Sequence, residues 1–266
     1  MKTKAQREWQ AEKYHENSGV QHEAATHLLK VLNLKGTEEV LDVGCGDGKI
    51  TAAIATALTK GAVLGTDLSE EMIHFASHKF LPSEKNNLKF SILSAEAIDF
   101  SNQFDVVFSS FALQWVLKIE TFFQKAHQSL KPNGRIACTI PLSISDVLEE
   151  SLAILLKDPE WSSYFEGFTL NFYLRDENIY DQILSQNGFT KIHFEVVDQE
   201  WIFPSREDLE QYIFMWLPHL NFIPQHLQER FFKQLMDKYV ELNPVFDDGR
   251  LSFLFDRVDF IVQKKL

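Results

Sequence analysis

Apolar and polar positions along this chain repeat with two different periods. Short apolar runs at residues 39–43 (EVLDV), 62–66 (AVLGT), 88–93 (LKFSIL), 104–109 (FDVVFS) and 135–140 (RIACTI) have the length and composition of buried strands. Helical spacing fills the gaps between them. Ile50, Ala53, Ile54 and Ala57 share one face of a helix over 49–58. Ser69 caps a second helix, on which Met72, Ile73, Phe75 and Ala76 are the apolar positions. A third, over 119–130, stops at a predicted turn, Lys131-Pro132-Asn133-Gly134. A β-α-β-α series with short connections predicts a parallel, doubly wound sheet, because crossovers between parallel strands are right-handed.

The rhythm changes after Pro141. Residues 146–157 and 176–186 read as helices, and the aromatic stretch 162–174 between them as a loop. Residues 190–197 (TKIHFEVV) alternate as a strand. Residues 205–241 are helical with interruptions at Pro218 and Pro224, and 250–263 form a strongly apolar terminal strand after Asp247-Asp248-Gly249. The expected architecture is α/β: a Rossmann-like, doubly wound sheet of about seven strands, mostly parallel with an antiparallel terminal strand, plus helical cap insertions. One domain is expected over 1–266. It comprises an N-terminal helical segment (1–38), a ligand-binding core (39–140), cap insertions (141–175 and 204–246) and the terminal strand (247–266).

Composition adds exclusions. A hydrophobic content of 45% with 24% charged residues is ordinary for a soluble globular protein, and the net charge of −12 argues against nucleic acid as a partner. No apolar run approaches the ~18 residues of a membrane span, and the first residues do not resemble a signal peptide. The two cysteines, Cys45 and Cys138, have neither metal-ligand spacing nor a disulfide framework, so no metal is expected. A cytoplasmic monomer is the expectation.

The candidate chemistry lies in Gly44-Cys45-Gly46-Asp47-Gly48, directly after the first strand. In an open α/β sheet, ligands bind beyond the carboxyl ends of the strands. Glycine allows positive φ there and keeps Cβ atoms out of the way. The spacing is G-x-G-x-G, not the dinucleotide G-x-G-x-x-G. Asp67 ends the second strand roughly 20 residues on, where a carboxylate can accept hydrogen bonds from a ribose diol or merely favour a helix N-terminus. Asp42 beside the loop can likewise serve the ligand or only the turn. No P-loop is present, and the single loop lysine, Lys49, can face solvent. A ribose site without phosphate clamps points to S-adenosylmethionine rather than NAD or ATP.

These residues resemble the class I S-adenosylmethionine-dependent methyltransferases. EVLDVGCGDG, VLGTDLSEEMI, LSAEAI, FDVVFSSFALQWV and LKPNGRI match that family's motifs in order between Glu39 and Ile140. The resemblance implies that Gly44 and Gly46 pass close to the methionine part of the cofactor, that Asp67 binds its ribose, and that Asp42 and Cys45 also belong to the cofactor site. It places Leu68 and Met72 on either side of the adenine, Ser94, Ala95 and Glu96 at the adenine edge, and Ser110 closing the site. Ser94 stands where many relatives carry Asp or Asn. S-adenosylhomocysteine is the implied product.

The flanks resemble the branch that methylates trans-aconitate, juvenile hormone acid and malonyl-acyl-carrier protein, all carboxylates. The matching stretches are Tyr14, NSGVQ at 17–21, ALQWV at 112–116, WSSYF at 161–165, FMWL at 214–217 and NPVFDDGRLSFLFDRVDFIV at 243–262. By position, Gln21 and Trp115 are candidates to hold the substrate carboxylate through neutral donors, with no general base expected. Gln114, Tyr14, Trp216 and Phe222 are further substrate-side candidates. The plainer alternatives are a core role for Trp115 and an exposed helix position for Gln21. Most of the 23 phenylalanines and their aromatic neighbours can simply pack the cap. Arg175, Arg206 and Arg257 can bind a second carboxylate or make structural pairs. No His–Asp pair follows from spacing alone. The expected reaction is O-methylation of a small-molecule carboxylic acid. The alternatives are transfer to a malonyl-loaded acyl carrier protein, transfer to another small-molecule nucleophile, and cofactor binding without turnover.

Overall fold

The computed structural model describes residues 9–80, 86–243 and 245–265; the rest of the expected N-terminal segment, 1–8, lies outside them. In chain order the elements are α1 (Ala11–Asn17), α2 (Gly19–Leu32), β1 (Glu39–Val43), α3 (Lys49–Ala57), β2 (Ala62–Asp67), α4 (Glu70–Lys79), β3 (Leu88–Ile92), β4 (Phe104–Ser110), α5 (Ile119–Ser129) and β5 (Leu130–Pro141). There follow α6 (Asp146–Leu155), α7 (Glu177–Gln186), β6 (Phe189–Phe203), α8 (Arg206–Trp216), α9 (Gln225–Leu242) and β7 (Leu251–Lys264). The seven strands form one sheet in the order β3-β2-β1-β4-β5-β7-β6. β1 pairs parallel with β2 and β4, as do β2 with β3 and β4 with β5, while β7 is antiparallel to β5. The order reverses direction at β1, so its carboxyl end is the switch point where a ligand crevice opens.

The chain divides into two compact units. The larger comprises 9–142, 173–197 and 257–266. Alternation along its strands sends side chains to two layers. Val40, Val106, Phe108, Ala137 and Ile261 pack under α2 and α3, and Leu41, Val107, Ile136, Cys138 and Phe260 pack against α5 and α7. Ser69 caps α4, as expected, by accepting from Met72 N at 3.2 Å.

One expected turn is a bulge instead. Phe104 pairs with Leu130 and Val106 with Arg135, so Lys131–Gly134 bows out within β5. Asn133 takes the left-handed conformation (φ 63°), and Lys131 Nζ anchors the bow on Asp105 at 2.7 Å. The glycine-bearing sequence that signals a turn therefore marks a widened edge of a continuous strand.

The smaller unit contains 143–172 and 198–256. There α6 packs on α9, and Trp161 is fully buried, with its Nε1 donating to Gln234 Oε1 at 2.6 Å. Tyr239 Oη and Asn243 Nδ2 both donate to Ser252 O, at 2.8 and 2.9 Å, tying the end of α9 to the start of β7. Within this unit Phe165 and Phe231 lie 5.7 Å apart, and Phe214 meets Phe232 at 5.0 Å. The plain packing role accounts for these aromatics. Arg206 pairs with Glu210 and Asp237 and is structural.

Candidate active site

The peptide after β1 passes through left-handed backbone at Gly44 (φ 74°), Gly46 (52°) and Gly48 (80°). The N–H groups of Gly44 and Cys45 both donate to Thr66 O, at 2.7 and 2.9 Å, which hangs the loop from the end of β2. A Cβ on Gly44 would lie 2.2 Å from the Cβ of Ala112. The bare position there admits the chain after β4, not a ligand. A Cβ on Gly46 would have Tyr14 Cε1 as its nearest neighbour, at 3.8 Å, so that side of the loop is open.

Three carboxylates surround the loop, each in a defined role. Asp42 is buried and accepts from Thr51 Oγ1 at 2.7 Å. Burial, reinforced by the neighbouring Asp67 and Asp47, pushes its pKa up to about 7 despite the Thr51 bond. Asp47 Oδ1 accepts from Lys49 N at 3.1 Å, and its Oδ2 meets His15 Nδ1 at 2.6 Å. Asp67 Oδ2 accepts from Gly46 N at 3.0 Å and its Oδ1 from Ser69 N at 2.8 Å. Burial raises the Asp67 pKa, and its backbone hydrogen bonds oppose the rise. A carboxylate offers about four lone-pair sites, so each Asp67 oxygen keeps acceptor capacity beyond its backbone bond.

A cleft open to solvent lies against the loop. Tyr14, Gln21, His22, Lys49 and Ser110 line it together with Asp42, Gly44, Cys45 and Gly46. Three side-chain atoms of its walls are buried with no hydrogen-bond partner: Gln21 Oε1, His22 Nδ1 and Ser110 Oγ. Burial, with Lys49 nearby, lowers the His22 pKa and keeps its ring neutral. Burial holds the Cys45 thiol protonated.

After β4 a short 3-10 helix, Leu113–Trp115, carries two candidates. Gln114 is buried, and its Nε2 donates to Phe111 O at 2.7 Å. Trp115 is half-buried and meets Trp9 edge-on at 5.6 Å, and Trp9 meets Tyr14 edge-on at 5.7 Å. Arg175 Nη2 donates to Val116 O at 2.7 Å and braces the exit of this turn. That structural role replaces the second-carboxylate alternative for Arg175.

A family model described as a methyltransferase domain matches residues 40–134. Juvenile hormone acid O-methyltransferase of Drosophila melanogaster is 26% identical over 78% of this chain and 73% of its own length. Trans-aconitate 2-methyltransferase of Deinococcus radiodurans is 29% identical over 60% of this chain and 59% of its own. The chain is a class I S-adenosylmethionine-dependent methyltransferase. Within that family it falls in the trans-aconitate and juvenile hormone acid branch. Phosphoethanolamine N-methyltransferase 2 of Haemonchus contortus, solved with S-adenosyl-L-methionine, shares the fold, with a TM-score of 0.63 and 18% identity over 96% of this chain and 57% of that one.

In this methyltransferase the loop candidates, Tyr14, Gln21 and Ser110 come together at one cleft, with Asp67 hydrogen-bonded to its rim at Gly46. Leu68 is 62% exposed just beyond Asp67, whereas Met72 is buried. Leu93 N donates to Asp67 O at 2.9 Å, which brings Ser94, Ala95 and Glu96 alongside. Glu96 is already engaged, since its Oε1 accepts from Lys118 N at 2.9 Å. Trp216 and Phe222 belong to the smaller unit, where Trp216 stacks on Phe172 and Phe222 meets Phe165 and Phe168. Sequence reasoning missed His15, His22 and Asp47. The His15–Asp47 pair spans 32 residues and follows from no local spacing. Lys49, which could have faced solvent, lines the cleft.

Proposed function

We propose that this methyltransferase converts a small-molecule carboxylic acid to its methyl ester. When bound, S-adenosylmethionine supplies a sulfonium-activated methyl group. The residues present fit that cofactor: Asp67 retains lone pairs for a ribose diol, the Gly46 side of the loop is open, and the cleft wall has unpartnered polar atoms. In this reading the 44–46 backbone and Asp42 line the methionine side. Leu68, Met72, Ser94, Ala95 and Glu96 border the adenine, and Ser110 closes the cleft.

The observation that carries the acceptor assignment is the commitment of the loop carboxylates. Asp42, Asp47 and Asp67 each already accept from a protein group that holds the loop, so their first roles are structural. A carboxylate acceptor is ionised at neutral pH and needs no general base. Gln21 and Trp115 would hold it through uncharged N–H donors, leaving its oxygen electron-rich, with Tyr14 and Gln114 beside them. Positioning of this kind can supply ~7–11 kcal/mol of barrier lowering. The relatives that methylate juvenile hormone acid and trans-aconitate support the same chemistry.

His22 favours a second reading. Its neutral ring has an unpartnered Nδ1 at the cleft and is suited to deprotonate a hydroxyl or amine acceptor. A tritiated-methyl transfer screen over fatty, aconitic and other carboxylic acids, malonyl carrier protein, alcohols and amines separates the two. Label that mild alkali releases as methanol identifies an ester. Alkali-stable label that disappears in His22→Gln supports the second reading and overturns the first.

A further inference from the structure

Sheet register assembles a polar row that the sequence does not announce. Ser110 at the end of β4 is the register partner of Thr139 on β5, and Thr139 is the partner of Asp259 on β7. Arg257 lies two residues from Asp259, on the same face. Cys138 and Ile140, on either side of Thr139, belong to the α5–α7 layer. Thr139 therefore points to the opposite, α2-covered face, the face on which Ser110 reaches the cleft.

This row is costly. Thr139 is fully buried, and its Oγ1 has no hydrogen-bond partner, like Oγ of its register partner Ser110. Arg257 and Asp259 are 4% and 0% exposed, with Arg257 Nε donating to Asp259 Oδ1 at 3.1 Å and Nη2 to Oδ2 at 3.2 Å. Replacing a buried ion pair with apolar residues is often neutral or stabilising, and an unpaired buried hydroxyl is a net loss.

We propose that the Thr139 and Ser110 hydroxyls complete the acceptor-head subsite of the methyl transfer beside Gln21 and Trp115, with the Arg257–Asp259 pair as positioning residues behind it. The hydroxyls donate to the acceptor's carboxylate oxygens. Asp259 cancels the charge of Arg257, so the subsite offers hydrogen-bond donors with no net positive charge. An acceptor carboxylate is thereby held without losing nucleophilicity, as it would beside an uncompensated guanidinium. This inference rests on the carboxylate reading of the acceptor.

The test is tritiated-methyl transfer to dodecanoate, trans-aconitate and the other acids of the screen, with S-adenosylmethionine affinity measured by calorimetry in every variant. Thr139→Val is expected to raise the acceptor KM about tenfold while leaving kcat and cofactor affinity within twofold, and Thr139→Ser to restore KM. Asp259→Asn is expected to lower both KM and kcat severalfold, since a guanidinium charge that Asp259 no longer offsets binds the acceptor tightly but blunts it. A merely structural role would not split the two constants in that direction. An unchanged KM in Thr139→Val, with the wild type active on an acid, overturns the subsite and leaves the carboxylate reading intact. A wild type that methylates none of the acids overturns both. Should Asp259→Asn fail to fold, the Thr139 pair of variants decides.

Discussion

The imidazole of His15 in α1 reaches Asp47 in the glycine loop, with Nδ1 and Oδ2 2.6 Å apart. The same carboxylate accepts from Lys49 N with its other oxygen, so one nearly buried side chain joins the N-terminal helix to the first turn of α3. The imidazole ring also rests 5.3 Å from Phe75 of α4.

Loss of this tie should loosen α1 over the cleft. A hydrogen bond to a charged group contributes about 1.5–3 kcal/mol, so His15→Ala is expected to weaken S-adenosylmethionine binding roughly tenfold or more, with His15→Gln between it and the wild type. Titration calorimetry reads this directly. Unaltered affinity in His15→Ala would show that α1 does not depend on Asp47 to cover the cofactor.

Gly44 is constrained twice, by a φ of 74° and by Ala112, whose Cβ would lie 2.2 Å from a new Cβ. Gly44→Ala should cost about 1–2 kcal/mol for the left-handed backbone alone and more for the overlap. The double variant Gly44→Ala/Ala112→Gly should recover the overlap part and leave the backbone part. Urea midpoints of both variants separate the two contributions. Equal midpoints would place the whole cost in the backbone.

The parts of the site that depend on neighbours in sequence were legible before the structure. The glycine loop, Asp67 at nucleoside spacing and the Ser69 cap are each fixed within a few residues by backbone conformation and strand ends. Lys131–Gly134 misled because the same residue types serve a turn and a bulge, and only pairing with Phe104 and Val106 decides between them. His15–Asp47 and Ser110–Thr139–Asp259 escaped for a different reason. Each depends on how elements distant along the chain are laid side by side, which apolar periodicity alone does not specify. Arg175 shows the same limit: its carbonyl partners, Val116 and Leu117, lie almost 60 residues away.

Asp42 should make stability fall with rising pH. Its folded pKa of about 7 exceeds the ordinary 3.8, so the fold prefers the protonated carboxyl. The penalty is absent below about pH 4, grows as pH rises towards 7, and is constant above, reaching at most about 4 kcal/mol. Asparagine can still accept from Thr51 without carrying charge. Asp42→Asn is therefore expected to be more stable than the wild type at pH 8 and equal to it near pH 4, as measured by urea unfolding at each pH. A constant difference between the two proteins across that range would contradict the assignment.

His219 of the smaller unit should act in the opposite direction. It is 7% exposed, lies 6.2 Å from Phe165 and 6.1 Å from Phe168, and has an Nδ1 without a partner. Burial lowers its pKa from 6.5 to about 4, so the folded unit holds the ring neutral while the unfolded chain takes up a proton below 6.5. Its contribution is intact above pH 6.5 and is lost as pH falls towards 4, by about 3 kcal/mol in all. His219→Phe keeps the ring contacts and removes the titrating group. The wild type should lose stability over that interval relative to the variant, and at pH 7.5 the variant should equal or exceed it, because phenylalanine leaves no unsatisfied nitrogen. Urea midpoints between pH 4 and 7.5, followed by tryptophan fluorescence, to which the buried Trp161 of the same unit contributes, give the comparison. Parallel midpoint curves for the two proteins would mean that His219 takes up its proton in the folded state as readily as in the unfolded chain.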